Sequence, residues 1–259
     1  MESKLLKYRT PTQMFEEKYK NKMAAIYDLI HENKDYKSEV DFLDHIYSRI
    51  NPKNKEVLDI GCGTGKHLEV FKEYGYNING VDPSEDMINE AKKRLGMDVN
   101  LICGSADDVE GKFNLVVSMF NVVNHITGEY ENLENFFKSA SKKLNKKGLF
   151  IFDCFNRSAY VKDAPHKVTK KLINGATLTV KPKTDYYEST LDLECKYENN
   201  SEEFYYEINH KIWHINTIIV ALLKSGLSPT SIYKHFKCED ATTKDYKVVF
   251  VCKKVKAIR

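Results

Sequence analysis

The chain has 259 residues and a formal net charge of +3, from 40 basic and 37 acidic side chains that are intermixed along it. This length can bury a substantial core, and the balanced charge argues against a nucleic-acid partner. No segment approaches the roughly 20 apolar residues that cross a bilayer and no secretory signal is visible, so we expect a soluble cytoplasmic protein without a membrane partner.

The first predicted elements are helices. Residues 13–50 carry spaced apolar positions, from Met14 to Ile30 and again from Val40 to Ile50, on either side of a polar break through Asn33 to Lys37. We therefore expect a helical region ahead of the first strand, where it can cover a bound cofactor.

The middle of the chain alternates strand-like and helix-like segments. The predicted strands are Val57–Ile60, Asn77–Val81, Val99–Cys103, Phe113–Ser118 and Gly148–Phe152. The predicted helices are Lys66–Tyr74, Glu85–Leu95 and Tyr130–Leu144. This alternation predicts an α/β fold with a doubly wound, mostly parallel sheet. Ligands of such sheets bind beyond the carboxyl ends of the strands.

The pattern changes after Asp153. The next segments are rich in β-forming residues: Ala176–Val180, Tyr187–Tyr197 and Phe204–Trp213. Turn signals lie at Gly175, Pro182 and Asn199-Asn200, so this region is predicted to be an antiparallel β insertion. A helix over Ile215–Ser225 and strands over Ser231–Phe236 and Lys247–Lys253 are predicted to complete the chain.

These elements predict one domain, residues 1–259, with four parts. They are an N-terminal helical cover (1–50), a cofactor-binding core (51–154), a β-rich acceptor cap (155–212) and a C-terminal core helix with strands (213–259). The sequence leaves open whether the protein is a monomer or a homodimer.

A glycine-rich loop follows the first predicted strand. Residues 57–65 read Val-Leu-Asp-Ile-Gly-Cys-Gly-Thr-Gly, and Val81-Asp82 follows after a helix-length interval. Glycines permit a tight turn with close backbone approach, and an acidic residue about 20 positions after such a loop suits a ribose hydroxyl. The loop and Asp82 together therefore predict a nucleoside site.

Two other nucleotide motifs do not fit this loop. A phosphate-binding P-loop needs four residues between its glycines, but Gly61 and Gly65 enclose three, and His67 stands where a hydroxyl is required. The dinucleotide fingerprint needs a third glycine where this chain has Lys66.

The strand–loop–helix–strand unit resembles the S-adenosylmethionine site of class I methyltransferases. The resemblance implies a seven-stranded sheet and S-adenosylmethionine as cofactor. By this resemblance Asp82 binds the ribose hydroxyls, Asp107 meets the adenine edge and Met119 neighbours the transferable methyl group. The full set of expected cofactor contacts is Tyr36, Asp59, Gly61, Cys62, Gly63, Asp82, Pro83, Met87, Ser105, Ala106, Asp107 and Met119. Core packing is the alternative role for Met87 and Met119.

His125 is the predicted general base, because it follows the fourth strand at the expected mouth of the site and histidine titrates near neutrality. His31, Asn121, His210 and His214 are candidates for the acceptor pocket, with a structural role as the open alternative for the histidines. The histidines lack metal-ligand spacing and the cysteines form no C-x-x-C pair, so no metal is expected.

A narrower resemblance points to the acceptor. The segments Tyr27–His31 with Lys34-Asp35-Tyr36, Ser84–Met87 and Val117–Phe120 resemble bacterial methyltransferases that act on nucleotide-linked amino sugars. The expected reaction is methyl transfer to an amine or hydroxyl of a small molecule. We expect a nucleotide-linked or phosphorylated sugar of surface-polysaccharide or secondary metabolism.

Three other functions use the same fold or the same glycine loop. O-methylation of a small phosphorylated or phosphoramidate metabolite is favoured by basic residues such as Arg157, Lys162 and Lys167. A non-catalytic partner protein that binds S-adenosylmethionine would keep the same loop. A nucleic-acid methyltransferase is disfavoured because residues 121–124 read Asn-Val-Val-Asn, where such enzymes often carry an Asn-Pro-Pro-Tyr-like sequence.

Overall fold

The structure, a computed structural model, describes residues 23–50, 53, 55–160 and 166–258. The first helix, α1, covers residues 23–30, and the part of the prediction before residue 23 lies outside the described residues, as does Lys162. Helix α2 (Tyr36–Ser48) follows and begins earlier than predicted. The Asp35 carboxylate caps it by accepting the Ser38 N–H at 2.9 Å.

The described residues form eleven strands. They are β1 (Glu56–Ile60), β2 (Asn77–Asp82), β3 (Asn100–Cys103), β4 (Phe113–Ser118), β5 (Leu144–Phe155), β6 (Val168–Lys171), β7 (Thr177–Asp185), β8 (Thr190–Glu198), β9 (Glu203–Lys211), β10 (Leu227–Lys234) and β11 (Lys247–Lys254). The remaining helices are α3 (Lys66–Glu73), α4 (Glu85–Leu95), α5 (Val122–His125), α6 (Tyr130–Lys143), α7 (Arg157–Tyr160) and α8 (Ile215–Lys224). A 3-10 turn spans Ala106–Asp108.

Seven strands form one sheet in the order β10-β11-β5-β4-β1-β2-β3. Strands β1 to β5 pair in parallel, and β11 runs antiparallel to both β5 and β10. The fold prediction of a doubly wound, mostly parallel seven-stranded sheet is therefore confirmed. The apolar runs of its strands follow from burial on both faces.

The core lies on both faces of this sheet. One cluster packs α6 and α8 against the sheet through residues such as Phe137 and Ile218. The other packs α2, α3 and α4 on the opposite face through Leu43, Leu68 and Ile88. The alternating side chains of each strand thus enter different clusters, and this leaves the carboxyl ends of the strands as the place where polar groups gather.

The predicted β insertion is present as a second, antiparallel sheet in the order β6-β7-β8-β9. Its apolar face packs with Ile30 and the neighbouring apolar side chains of α1. Two details of the prediction were wrong. Pro182 lies inside β7, opposite Leu193, instead of in a turn, and Tyr187 lies in the turn between β7 and β8 instead of in a strand.

Strand β5 is longer than predicted and ends at Phe155, so Asp153 lies within it. Helices α4 and α8 match their predicted starts, and α4 also matches its predicted end. In the described residues no helix is long and apolar enough to span a membrane.

Candidate functional site

The polar groups of the predicted site gather where the parallel strands end. Asp59 is the next-to-last residue of β1, Asp82 ends β2, Met119 follows β4 and Asp153 lies near the end of β5. Asp59, Met119 and Asp153 are buried, and Asp82 is half-buried. The position agrees with the general rule for ligands of open α/β sheets.

The glycine loop after β1 is closed on one side and open on the other. Gly61 has φ +80°, and a Cβ there would lie 2.6 Å from a Val122 methyl carbon at the start of α5. Gly63 has φ +53°, but a Cβ there would meet nothing within 4 Å. The loop therefore packs against α5 at Gly61 and leaves space beside Gly63, where a ligand can approach the backbone.

The Asp82 carboxylate is held in a defined orientation by two backbone donors. Its Oδ2 accepts the Gly63 N–H at 2.9 Å and its Oδ1 accepts the Ser84 N–H at 2.9 Å. Burial raises the pKa of Asp82, and these two donors oppose that rise. Each carboxylate oxygen keeps acceptor capacity for a further donor, as the predicted role at ribose hydroxyls requires.

The Asp59 carboxyl is buried, and its Oδ1 has no hydrogen-bond partner among the described residues. Burial, together with the nearby Asp82 and Asp153, raises its pKa to about 7 against the opposing effect of His67. The Tyr36 hydroxyl is also buried, and no described residue hydrogen-bonds to it. Because an unsatisfied buried polar group is costly, each of these groups is suited to a polar ligand atom, and the Asp59 carboxylate to a cationic one such as the amino group of an amino acid.

Helix α1 is tied to the glycine loop. The Thr64 hydroxyl donates to Asp28 at 2.6 Å, and the Arg94 guanidinium pairs with Asp28 while donating to the Thr64 carbonyl oxygen at 2.9 Å. Helix α1, the first described part of the predicted helical cover, therefore contacts the glycine loop through Asp28.

The remaining expected cofactor residues surround the same edge. Met119 is buried in the core cluster that contains Cys62, which agrees with the packing alternative for Met119 without testing its contact with a methyl group. The Met87 N–H reaches the Ser84 hydroxyl at 3.3 Å in the cap of α4, and Pro83 is exposed beside it. The contacts of Pro83 and Met87 with adenosine stay predictions.

The segment expected at the adenine edge is engaged with its own neighbours. The Asp107 carboxylate accepts from the Ser139 hydroxyl at 2.6 Å and pairs with Lys142 at 3.0 Å, both on α6. Asp108 accepts from the Ser105 N–H and hydroxyl, each at 2.8 Å, and Ala106 is buried in the core. The structure thus directs Asp107 toward α6, and its adenine contact stays a prediction.

The backbone after β4 adopts an uncommon conformation. Phe120 and Asn121 have φ values of 68° and 62°, both in the left-handed region that favours glycine. The Asn121 N–H donates to Asp153 Oδ1 at 2.9 Å. Burial acts to raise the pKa of Asp153, but His235, Lys247 and the Asn121 N–H hold that pKa below its usual value.

The predicted base lies beside a second predicted histidine. The His125 and His210 rings have centroids 4.6 Å apart, and His210 is buried against Phe155. The His125 side chain is exposed to solvent, and partial desolvation by its neighbours lowers its pKa. His214 is exposed at the start of α8 near Arg157, so it is not brought into this pair.

A group of cations surrounds His31 and Phe120. The two rings meet edge to face at 4.8 Å, and the ammonium groups of Lys34 and Lys247 lie 4.5 and 5.3 Å from the Phe120 ring centroid. Desolvation, followed by Lys170, Lys34 and Lys247, lowers the pKa of His31 to about 4. We call these three lysines the lysine cluster.

Two members of the lysine cluster, Lys170 and Lys247, lack a direct carboxylate partner among the described residues, and Lys170 donates to the Ile30 carbonyl oxygen at 2.5 Å. Lys34 pairs with Glu39, whereas Lys247 contacts the faces of Phe120 and Phe155 and has no carboxylate oxygen within 4.0 Å among the described residues. Burial lowers the pKa of Lys247. A half-buried ammonium of this kind is suited to an anionic ligand group.

Sequence reasoning missed Asp153 and the lysine cluster as parts of the site. The end-of-strand argument that identified Asp59 and Asp82 applies equally to Asp153 and would have found it. No local pattern marks Lys34, Lys170 and Lys247, because they come from the α1–α2 connection, β6 and β11 and meet only in the folded chain.

Comparisons with known proteins agree with this geometry. The family described as Methyltransferase domain matches residues 57–148. A dTDP-3-amino-3,4,6-trideoxy-alpha-D-glucopyranose N,N-dimethyltransferase from Streptomyces venezuelae is 43% identical over 109 residues, which are 40% of this chain and 45% of that protein. The chain therefore spans less than half the length of this curated relative.

Solved structures resemble nearly the whole fold. An S-adenosylmethionine-dependent methyltransferase from Clostridium acetobutylicum superposes with a TM-score of 0.78 at 21% identity, over 92% of this chain and 99% of the other. An S-adenosylmethionine-bound amino pentose methyltransferase from Micromonospora echinaspora gives 0.70 at 17% identity, over 95% and 99%. At these identities the likeness concerns the fold.

Proposed function

We propose that this protein is a class I S-adenosylmethionine-dependent methyltransferase and that it methylates the amino group of a nucleotide-linked sugar in surface-polysaccharide or secondary metabolism. The domain match over residues 57–148 and the sheet order support the first part of the proposal. The observation that carries the proposal is that the lysine cluster lies around His31 and Phe120, directly after Met119, at the same edge of the sheet as the strand-end aspartates. The same arrangement accommodates a hydroxyl acceptor, which the test below separates.

The residues present fit S-adenosylmethionine. Asp82 is oriented to accept ribose hydroxyls, Asp59 and Tyr36 offer unsatisfied buried polar groups to an amino-acid head group, and Gly63 leaves space beside the backbone. When bound, this cofactor supplies an electrophilic methyl group on a sulfonium. The protein's own contribution is to hold donor and acceptor in line and to exclude water from them.

His125 accepts the proton that the acceptor must lose. An amine nitrogen that takes a methyl group retains a surplus proton, and a hydroxyl oxygen loses one as the new bond forms. The lowered pKa of His125 keeps its ring neutral at neutral pH, so a ring nitrogen is free to take that proton. The His125 side chain is exposed, so a small acceptor can reach the ring.

The lysine cluster supports a phosphate-bearing acceptor. Lys247 has an ammonium group without a direct carboxylate partner among the described residues. Lys34 and Lys170, like Lys247, lie near His31. Ammonium groups bind phosphate oxygens through charge-assisted hydrogen bonds. We propose that the cluster holds the phosphates of the acceptor and that residues 155–212, with the antiparallel sheet, form the acceptor side of the site.

The six cysteines are all unpaired thiols, which supports a reducing, cytoplasmic compartment for this enzyme. The curated relative from Streptomyces venezuelae acts, by its name, on a dTDP-linked amino sugar, and this adds support for the same acceptor class.

The deciding experiment incubates the protein with S-adenosylmethionine and three acceptor classes, followed by mass spectrometry. The classes are nucleotide-linked amino sugars, the matching nucleotide-linked neutral sugars, and small phosphorylated metabolites. A product heavier by one CH₂ for each transferred methyl group is expected in the first class alone. Product only in the second or third class overturns the amino-sugar assignment, and cofactor binding without any product favours a binding-only protein.

A further inference from the structure

One buried side chain, that of Asn124, hydrogen-bonds the segment carrying His125 to both sheets. Asn124 directly precedes His125 in α5, is fully buried and uses both ends of its amide. Its Oδ1 accepts the Phe155 N–H at 2.9 Å, and its Nδ2 donates to the Lys211 carbonyl oxygen at 2.9 Å. Phe155 ends β5 of the seven-stranded sheet, and Lys211 ends β9 of the antiparallel sheet.

The backbone of this segment needs such support. Phe120 and Asn121 are consecutive non-glycine residues with left-handed φ values, a conformation that persists only where the surroundings over-determine it. The Asp153 carboxylate holds the Asn121 N–H, and the Asn124 N–H closes the turn on the Asn121 carbonyl oxygen at 2.9 Å. The Asn124 side chain adds the bond to the antiparallel sheet.

The two bonds also set the distance between the paired histidines. His210 directly precedes Lys211 in β9, and its ring contacts His125 at a centroid distance of 4.6 Å. The Asn124 amide therefore joins the backbone positions next to both rings. Because a hydrogen bond fixes distance and direction, loss of this amide would free α5 to move relative to β9.

We propose that Asn124 is a positioning residue that sets the His125 imidazole against His210 and couples it to the antiparallel sheet. Its effect on catalysis rests on the proposed function, in which His125 is the base. Its effect on the geometry of the two rings does not depend on turnover.

Two variants and a matched control test the proposal. Asn124→Ala removes both bonds. Asn124→Asp keeps an acceptor for the Phe155 N–H but places a carboxylate oxygen against the Lys211 carbonyl. Asn156→Ala is the control, because Asn156 is also buried, donates to the Thr242 carbonyl oxygen at 3.0 Å and accepts the Ser158 N–H at 3.2 Å.

The primary measurement is NMR of the histidine rings, with a titration of His125 and the cross-relaxation between His125 and His210. In Asn124→Ala the His125 pKa is expected to rise toward the ordinary value of about 6.5 and the cross-peak to be lost. The control is expected to lose thermal stability with both readouts unchanged. An unchanged titration and an unchanged cross-peak in folded Asn124→Ala would overturn the proposal.

Turnover supplies the second readout. We expect kcat of Asn124→Ala to fall about 10- to 100-fold, with KM for the methyl donor unchanged, because a small displacement of a catalytic group has effects of this size. Asn124→Asp should recover relative to the parent protein as pH falls, since a protonated carboxyl donates to the Lys211 carbonyl again. The absence of any recovery at low pH would contradict the assigned donor role.

The two hypotheses can fail separately. If the parent protein methylates no acceptor, the proposed function fails, and the ring measurements still decide the role of Asn124. If Asn124→Ala does not fold, the loss of the cross-peak in Asn124→Asp supports the proposal and its persistence overturns it.

Discussion

The His125 and His210 rings lie against each other with centroids 4.6 Å apart, although they come from α5 and β9. The His210 Nδ1 is 3.2 Å from the Leu191 carbonyl oxygen, which can only accept, so this nitrogen carries the hydrogen. Desolvation lowers the pKa of His125, and desolvation together with His125 lowers that of His210 to about 4. Both rings are therefore neutral at neutral pH, as proton acceptance by His125 requires.

Removal of the His125 ring should reduce the chemical step. We expect His125→Ala to lower kcat by about 10²- to 10⁴-fold, the usual contribution of a general base. In the parent protein, activity should rise with pH through a pKa below 6.5, because only the neutral ring accepts a proton. The check is the pH profile of kcat, with His45→Ala as an exposed histidine control. A variant that retains full kcat and the same profile would show that orientation alone drives transfer.

Asp59 should make the stability of the unliganded protein depend on pH. Its pKa rises from 3.8 to about 7 on folding, so the stability it contributes is present below about pH 4 and is lost as pH rises through 7. At pH 8 the free energy of unfolding of Asp59→Asn should therefore exceed that of the parent by up to a few kcal/mol, at about 1.4 kcal/mol per pKa unit. The variant should accordingly unfold at a higher temperature than the parent. At pH 4 the two should match. Thermal melts at both pH values test this, and equal melts at pH 8 would contradict it.

The same substitution should have the opposite effect on the cofactor. A cationic amino group pairs with ionised Asp59, so S-adenosylmethionine affinity of the parent protein should increase as pH rises through about 7. Asp59→Asn should bind more weakly and lose this pH dependence. Calorimetry in two buffers of different ionisation enthalpy measures the proton released on binding. Proton release that persists in the variant would assign the linkage to another group.

Lys247 should act on the acceptor and not on the methyl donor. We expect Lys247→Gln to raise KM for a phosphate-bearing acceptor about 10-fold or more, because a charge-assisted hydrogen bond is worth about 1.5–3 kcal/mol. KM for S-adenosylmethionine should stay within twofold. Lys244→Gln, at an exposed lysine close in sequence, is the matched control. An equal rise in the acceptor KM in both variants would show that the loss of one positive charge, and not the position of Lys247, causes the effect.

Alanine substitution at Gly61 and at Gly63 should lower the free energy of unfolding by different amounts. Gly63→Ala meets no atom within 4 Å and should cost about 1–2 kcal/mol, from its left-handed φ alone. Gly61→Ala carries the same backbone cost and also places Cβ 2.6 Å from a Val122 methyl, so it should cost about 1–3 kcal/mol more. Denaturant unfolding gives both values. Val122→Ala in the Gly61→Ala background should recover part of the loss.

Local pattern predicted the sheet because each strand is a short apolar run between turn signals, and the helices carry an apolar face at helical spacing. The insertion was predicted as antiparallel, but Pro182 was placed in a turn because proline lacks a backbone donor and commonly marks turns. In the structure Pro182 sits inside β7, opposite Leu193. Local signals therefore located the insertion but not the ends of its strands.

The sequence by itself determined the sheet, the glycine loop and the acidic residues at the strand ends, because these depend on residue order and spacing over one βαβ unit. Only the tertiary structure decided which distant residues meet there. The pairing of His125 with His210, the lysine cluster at Phe120 and the Asn124 bonds to Phe155 and Lys211 join segments far apart in the chain. Such contacts arise from how the antiparallel sheet packs on the core, and no local periodicity encodes that packing.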